Sequence, residues 1–209
     1  MSNDKCKICR RVGEKLFLKG ERCLSPKCAM VRKPYAPGQK KKRRRRQLSE
    51  YGKELREKQK LKNWYNLRER QFSNYVKEVL KKRSRVENAS DQLIQVLERR
   101  LDNVVFRLGF ASSRNEARQL ISHRHLLVND KPVNFPSFSV KIGDKVKVRP
   151  RSLKKGAFRD ISTIIKKHTP PSWLSLDVNK LEGEVKSLPT LEEAAPPVEV
   201  PTIFEFYSR

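Results

Sequence analysis

Apolar residues recur with a helical period in the middle of the chain. Over residues 72–80 they follow the spacing i, i+3, i+4, i+7 and i+8, which predicts a helix with one apolar face. The members of this stripe are Phe72, Tyr75, Val76, Val79 and Leu80. The pattern is typical of a core face, so we predict that it packs inside the protein and binds no ligand.

A second helical pattern begins near Ser90. Leu93 and Leu97 lie on its inward face, and the same period continues through residues 101–108. Gly109 then permits the left-handed backbone that often ends a helix. The pattern therefore predicts one long helical stretch from Ser90 to Gly109.

Residues 113–149 change from a helical to a strand pattern. Ser113 and Glu116 form a capping box that predicts a helix start. A short apolar strand at residues 126–128, a tight turn at 129–130 and an alternating strand at 145–149 follow. We predict a compact helix-turn-helix plus β-hairpin, within an α+β fold.

The net charge of the chain indicates the kind of partner it binds. The 209 residues carry 49 Lys and Arg against 23 Asp and Glu, a formal net charge of +26, which favours a polyanion such as nucleic acid. Residues 173–209 alone are acidic, with a net charge of −4, which suits contact with protein. No apolar run of about 18 residues is present, so we predict no membrane partner. The first residues also lack an apolar signal core, which predicts reduced thiols and a cytoplasmic location.

All four cysteines lie in residues 6–28, as a C-x2-C pair and a C-x4-C pair. The predicted metal ligands are Cys6, Cys9, Cys23 and Cys28. Four thiolates in two short loops suit one tetrahedral Zn²⁺ ion with a structural role. An iron–sulfur cluster and four unrelated thiols remain the alternatives.

Cations surround the cysteines and continue beyond them. Seven consecutive cations run from Lys40 to Arg46, after Pro37 and Gly38, and predict a linker that contacts phosphate. The alternative is a solvated or nuclear-targeting tail. Farther along, Arg114 and Arg118 are placed on the outward edge of a helix start, which favours phosphate.

Several stretches carry a resemblance to a known family. They are CKICRRVGEKLFLKGERCLSPKCAM, REKQKL, RLDNVVFRLGFASSRNEARQLI, WLSLD and the terminal EFYSR. In this order they resemble bacterial ribosomal protein S four of the small subunit over nearly the whole chain. The third stretch alone resembles the S four RNA-binding module, which also occurs in pseudouridine synthases, some synthetases and heat-shock proteins.

The resemblance implies a domain order. Residues 1–46 would form a zinc knuckle and basic linker, and 47–98 a helical domain that residues 173–209 return to complete. The RNA-binding module would occupy residues 99–172. The predicted RNA-binding residues are Lys7, Arg10, Arg11, Arg22, Lys40, Lys41, Lys42, Arg43, Arg44, Arg45, Arg46, Lys58, Lys60, Lys62, Arg107, Ser113, Arg114, Asn115, Arg118, Gln119, His123, Arg124, His125 and Lys131.

The resemblance also implies a function. Such proteins are structural constituents of the small ribosomal subunit that bind its ribosomal RNA at a junction in the 5′ domain and nucleate assembly. They also lie beside the mRNA entrance, near ribosomal proteins S three and S five, and influence decoding accuracy. The chain departs from the pattern at Arg124 and Asp130, where glycine is common. A residue other than glycine is strained at positive φ, although Asp tolerates it better than most, so the sequence leaves the geometry of both turns open.

Three alternatives come from other classes. Arg100-Leu101-Asp102 repeats the catalytic Arg-Leu-Asp letters of pseudouridine synthases, but residues 103–105 continue a helix instead of entering a catalytic domain. A zinc-containing DNA-binding regulator would explain the charge and the cysteines. A free-standing RNA-binding factor would share the module. We predict a protein that is not an enzyme.

Overall fold

The structure is a computed structural model that describes residues 4–38, 47–82, 88–159, 161–166 and 168–208. It mixes helices with a β-sheet, which confirms the predicted α+β class. The helices are α1 Asp4–Val12, α2 Glu21–Leu24, α3 Ala29–Arg32, α4 Glu50–Trp64, α5 Glu69–Lys82, α6 Ala89–Glu98, α7 Leu101–Arg107, α8 Arg114–Ser122, α9 Ile161–Lys166, α10 Leu191–Ala194 and α11 Val200–Ser208. The strands are β1 Leu126–Val128, β2 Lys131–Pro132, β3 Lys145–Val148, β4 Leu174–Asp177 and β5 Glu182–Val185.

The chain forms two compact units. The helical unit consists of Met1–Ser90 together with Pro196–Arg209, and the sheet unit consists of Asp91–Ala195. The helical unit is therefore discontinuous in sequence, whereas the sheet unit is one continuous segment.

Two clusters organise the helical unit. Near the cysteines, Cys9, Val12, Leu16 and Leu18 form a small buried core. Farther along, the predicted stripe on α5 is confirmed, since Phe72, Val76 and Val79 are buried. Helix α11 packs against both α4 and α5, so the last helix of the sequence closes this unit.

A capping side chain fixes the start of α4. The hydroxyl oxygen of Ser49 accepts a hydrogen bond from the backbone N–H of Gly52 at 3.2 Å. This bond satisfies one of the amide groups that a helix start leaves without an intrahelical partner. The cap fixes where the cationic helix α4 begins.

The sheet unit is built on five antiparallel strands in the order β2-β1-β3-β5-β4. Helices α7 and α8 pack against each other and supply buried Val105 and Ile121 to the core. Leu126 and Val146 face them from the sheet, since alternate residues of a strand point to the same side.

The helix predicted from Ser90 to Gly109 is wrong in one respect, because it is broken at Arg99 and Arg100. Arg100 has an extended backbone, with φ −67° and ψ 136°. The backbone N–H of Leu101 donates to the carbonyl oxygen of Phe138 at 2.8 Å, so a distant loop satisfies the first turn of α7. Periodicity alone does not reveal such a tertiary partner.

The predicted boundary at residue 173 also requires correction. Trp173, Leu174 and Val185 are buried in the core of the sheet unit, and β5 pairs with β3. The predicted two-stranded hairpin is thus part of a larger sheet, since β3 would otherwise expose an unpaired edge. Within the segment 173–209, only residues from Pro196 onward belong to the helical unit.

The two turns whose geometry the sequence left open both have a left-handed backbone without glycine. Arg124 has a φ of 57° and Asp130 a φ of 66°, in the left-handed region. Gly109 also has a positive φ, and a Cβ atom there would lie 2.8 Å from the His168 ring. A side chain at Gly109 would therefore be strained and crowded.

Candidate nucleic-acid interface

A cationic cleft of about 340 Å³ lies beside the cysteines in the helical unit. Six Lys and Arg side chains line it, and no carboxylate of the described residues does. They are Lys7, Arg10, Arg22, Lys27, Arg32 and Lys33. Such a concentration of one charge attracts an anion and repels other cations.

Arg10 holds one wall of the cationic cleft in place. Its Nε donates to the carbonyl oxygens of Lys33 at 3.0 Å and Tyr35 at 2.8 Å. Its guanidinium carbon also lies 5.0 Å from the centre of the Tyr35 ring, a cation–π distance. The segment after α3 is thereby tied to α1, which keeps the cations of both segments together.

The four cysteines line one small cavity of about 10 Å³ next to the cleft. All four are free thiols, and Cys9, Cys23 and Cys28 are buried. Burial raises the pKa of Cys9 and of Cys23, and the nearby cysteines raise both further. Four thiols around one cavity are a donor set that suits zinc.

The cysteine cavity is not a preformed metal site. Among the described residues, no group of three or more His, Cys, Asp or Glu side chains is arranged so that it could hold a metal ion. Zinc remains a prediction.

The cavity and the cleft share two residues. Cys6 and Ala29 line both of them. The cysteine cavity and the cationic cleft are therefore neighbours.

The sheet unit presents its own polar surface, along α8 and at the turns beyond it. Five of the predicted RNA-binding residues lie there with their side chains wholly or partly accessible. They are Asn115, Gln119, His123, Arg124 and Lys131. Asn115 and Gln119 are four residues apart and share one face of the helix.

Arg114 is not on this surface, which corrects the predicted outward position. It is 7% exposed, its Nε donates to Asn103 Oδ1 at 2.7 Å, and its guanidinium lies 4.7 Å from the Phe106 ring centre. Ser113 is also buried and caps α8 by accepting from the Glu116 backbone N–H. Both residues therefore serve the fold.

Two other predicted RNA contacts, Arg118 and Arg107, are held in ion pairs. Arg118 Nε donates to Asp102 Oδ2 at 2.7 Å, and Arg100 pairs with the same carboxylate at 2.8 Å. Arg107 pairs with the buried Glu98 at 2.9 Å. The buried carboxylates compete with phosphate for Arg118 and Arg107.

The lysines of α4 are also corrected, because they are ion-paired and largely buried. Lys58 and Lys62 both pair with Glu69, at 2.6 Å and 3.1 Å. Lys60 pairs with Glu14 at 2.6 Å. The charges of α4 therefore hold the helical unit together, and phosphate cannot reach Lys58 or Lys60 without opening these pairs.

His125 is half-buried beside the aromatic ring of Phe158. Its Nδ1 lies 3.0 Å from Ser152 Oγ. Burial lowers the pKa of His125, and the positive charges of Lys155, His123 and Arg149 lower it further. The lowered pKa favours the uncharged ring, so His125 adds less positive charge to the surface than an exposed histidine would.

The remaining predicted contacts divide into two groups. Lys7, Arg10 and Arg22 line the cationic cleft, and Arg11 is exposed nearby. The run from Lys40 to Arg46 lies outside the described residues.

Sequence reasoning missed three residues of the cleft, Lys27, Arg32 and Lys33. Their charge was visible in the sequence, but the signal was diffuse, because cations occur throughout residues 1–46. Only the packing of α1 against α3 shows which of them share one surface.

A mixed helix and sheet fold with a carboxylate-free cationic cleft, within the part of the chain that the structure describes, defines a protein of the polyanion-binding class. The family model described as "Ribosomal protein S4/S9 N-terminal domain" matches residues 1–98, and that described as "S4 domain" matches residues 99–146. Among the described residues, none of the helices has the length and apolar character needed to cross a membrane.

Curated relatives extend these matches to almost the whole chain. Small ribosomal subunit protein uS4 of Caldicellulosiruptor bescii is 50% identical over 204 residues, which cover 98% of this chain and 96% of the relative. The proteins of the same name from Halothermothrix orenii and Thermus thermophilus are 48% and 47% identical with the same coverage. The chain belongs to the family of small ribosomal subunit protein uS4.

Proposed function

We propose that the chain is a structural, ribosomal RNA-binding protein of the small ribosomal subunit and works in the cytoplasm as part of the ribosome. Membership of the uS4 family supports this proposal over nearly the full length. The observation that carries it is the cationic cleft, whose described lining has six cations and no carboxylate. The relatives are ribosomal proteins, so catalysis and the pseudouridine synthase alternative are not favoured.

The RNA would be held by its phosphates at the cleft and at the exposed face of α8 with the turns beyond it. A-form helices hide their base edges in a deep major groove, so recognition of a folded RNA depends on the positions of its phosphates. Lys27 and Arg32 line the cleft and form no ion pair with a carboxylate of the described residues, so they are the cations best placed to be tested.

The test is a salt titration with small-subunit ribosomal RNA. Replacing Lys27 and Arg32 by alanine should lower the slope of log affinity against log salt by about 0.7 to 0.9 for each phosphate that is no longer bound. The matched control replaces exposed Lys53 and Lys77, which removes equal charge from residues that do not line the cleft. Equal slopes in the two variants would reject the cleft as the interface.

The family resemblance supports finer roles. We propose that the protein binds a junction in the 5′ domain, nucleates subunit assembly, contacts mRNA at its entrance beside ribosomal proteins S three and S five, and influences decoding accuracy. Reconstitution of subunits with and without the protein tests the assembly role. Unchanged incorporation of the other proteins in its absence would contradict nucleation.

We also propose one structural Zn²⁺ ion at Cys6, Cys9, Cys23 and Cys28. The four free thiols around one cavity support it, and the ion would supply on the order of 10 kcal/mol to folding of this segment. The folded cysteine segment would then hold the cations of the cleft in position.

The zinc proposal predicts one bound ion per chain by elemental analysis. Cys23→Ser should lose the ion and the ordered amide signals of residues 4–38, while those of the sheet unit stay unchanged. Retention of order after complete removal of metal would show that the cysteines are only core residues.

A further inference from the structure

A second opening of the helical unit differs from the cationic cleft in its chemistry. This α4 groove has a volume of about 760 Å³ and lies between α1, the segment around Pro34 and one face of α4. Ile8, Pro34 and Leu55 give it apolar walls. A pocket of this size, with apolar walls and a few polar groups, is typical of a small-molecule or nucleotide site.

Two side-chain amides lie on the α4 wall of the groove. Gln59 and Asn63 are four residues apart on one helix face, in register with Leu55. Both are half-buried, and their amides form no hydrogen bond with another described residue. Each amide offers a donor and an acceptor, which is the pattern that matches the polar edge of a nucleobase.

The charge of the α4 groove selects an anionic occupant. Arg10, Arg11 and Arg56 line it, and no carboxylate of the described residues does. Arg56 is fixed by a 2.6 Å hydrogen bond from its Nη2 to the carbonyl oxygen of Val12. Arg11 is exposed at the end of α1.

The groove and the cationic cleft are neighbours that share one lining residue. Arg10 lines both openings. The two openings therefore lie on either side of Arg10, so that one nucleic-acid strand can contact both.

We propose that the α4 groove binds an unpaired nucleotide of RNA. The base packs against Leu55 and Ile8, its polar edge bonds to Gln59 and Asn63, and Arg11 holds its phosphate. This inference rests on the proposed RNA-binding function and adds a base-reading site to it. Sequence-specific recognition of RNA uses unpaired bases, because only these can leave the stack and expose their edges.

Short oligoribonucleotides test the proposal with the full chain. Fluorescence anisotropy would compare hexamers of A, C and U with an abasic hexamer of the same charge. Burial of the base against the aliphatic walls should make at least one hexamer bind about 10-fold more tightly than the abasic one. Substituting Gln59→Leu together with Asn63→Leu should weaken that hexamer by about 2- to 10-fold per hydrogen bond removed and leave abasic binding unchanged.

The matched control is Gln71→Leu with Asn74→Leu, which changes the same residue types on α5, outside the groove. Its affinities should equal those of the unsubstituted chain. Circular dichroism of all variants should be superimposable, so that a loss of binding is a loss at the site.

Three results would overturn the proposal. The first is equal affinity for the base-containing and abasic hexamers. The second is an equal loss of affinity for the base-containing and the abasic hexamer when Gln59 and Asn63 are replaced by leucine. That result would mean that the two amides contact the sugar-phosphate backbone of the RNA and not a base. The third is displacement of the favoured hexamer by an acidic peptide of equal charge at equal affinity, which would assign the groove to a protein.

Failure of this inference is distinguishable from failure of the proposed function. The Lys27→Ala and Arg32→Ala variant should lower the salt slope of abasic binding whether or not the groove reads a base. If the Lys27 and Arg32 variant lowers the salt slope as expected but no hexamer binds more tightly than the abasic one, the base-reading site is rejected and the RNA-binding function is not.

Discussion

Arg114 shows how a single residue can be misassigned by its charge. It lies three residues before Ala117 and seven before Ile121, both of which are buried, so it shares their face of α8. The helical period of the apolar residues therefore indicated that Arg114 points inward. Its positive charge beside a helix start favoured the opposite prediction, that it points outward. The bond to Asn103 and the Phe106 ring make burial of the guanidinium acceptable.

Replacement of Arg114 should affect folding more than RNA binding. Arg114→Ala leaves the buried Asn103 oxygen without its donor and should lower the free energy of unfolding by about 2 to 3 kcal/mol. Urea denaturation measures the change. Asn115→Ala, an exposed neighbour on the same helix, should stay within about 0.5 kcal/mol of the unsubstituted chain, and equal stabilities would contradict a structural role.

At the scale of elements, α11 is held by polar contacts as well as by apolar packing. Lys58 Nζ lies 4.4 Å from the Phe206 ring centre, and the hydroxyl of Tyr207 donates to Glu69 Oε1 at 3.1 Å. Burial raises the pKa of Glu69, but hydrogen bonds from Lys58 and Lys62 outweigh it, so the net pKa lies below its usual value. Glu69 therefore links α4, α5 and α11.

The position of Glu69 predicts a pH dependence. Since its folded pKa is depressed, its contribution to stability is fully present above the unfolded pKa of about 4.3 and is lost as the pH falls through the lower folded value. Unfolding by urea should show Glu69→Gln less stable than the unsubstituted chain at pH 7, with the difference shrinking toward pH 3. A pH-independent difference would exclude the ion pair as its cause.

The elements also show where sequence reasoning stops. The α5 stripe, the Ser113 cap and the positive φ of Gly109 followed from local patterns, because each depends on residues within one or two turns. The break at Arg100 and the pairing of β5 with β3 depend on residues about 40 positions away. The cationic cleft likewise depends on tertiary packing, since three separate segments contribute its lining residues.

At the scale of the whole molecule, the division into units follows core membership more closely than charge. The change to acidic composition at residue 173 favoured a boundary there, but Trp173 is fully buried in the sheet unit. The charge of a segment describes its surface, whereas its apolar residues decide which core it joins.

The unit boundaries predict how fragments behave. A fragment of residues 91–195 should fold alone, with cooperative urea unfolding and dispersed amide signals, because it keeps the whole core of the sheet unit. A fragment of residues 99–172 lacks Trp173, Leu174 and Val185 and leaves β3 with an open edge, so it should be unfolded or aggregated. Equal stability of the two fragments would show that β4 and β5 are dispensable.

The discontinuity of the helical unit has a consequence for synthesis. A growing chain is made from its N-terminal end, and α11 emerges only after the entire sheet unit. The sheet unit can therefore fold first. Until α11 has been synthesised, the apolar faces of α4 and α5 that it will cover stay exposed. During this interval the cationic N-terminal half is exposed to the nearest polyanion, and a nascent chain is surrounded by RNA.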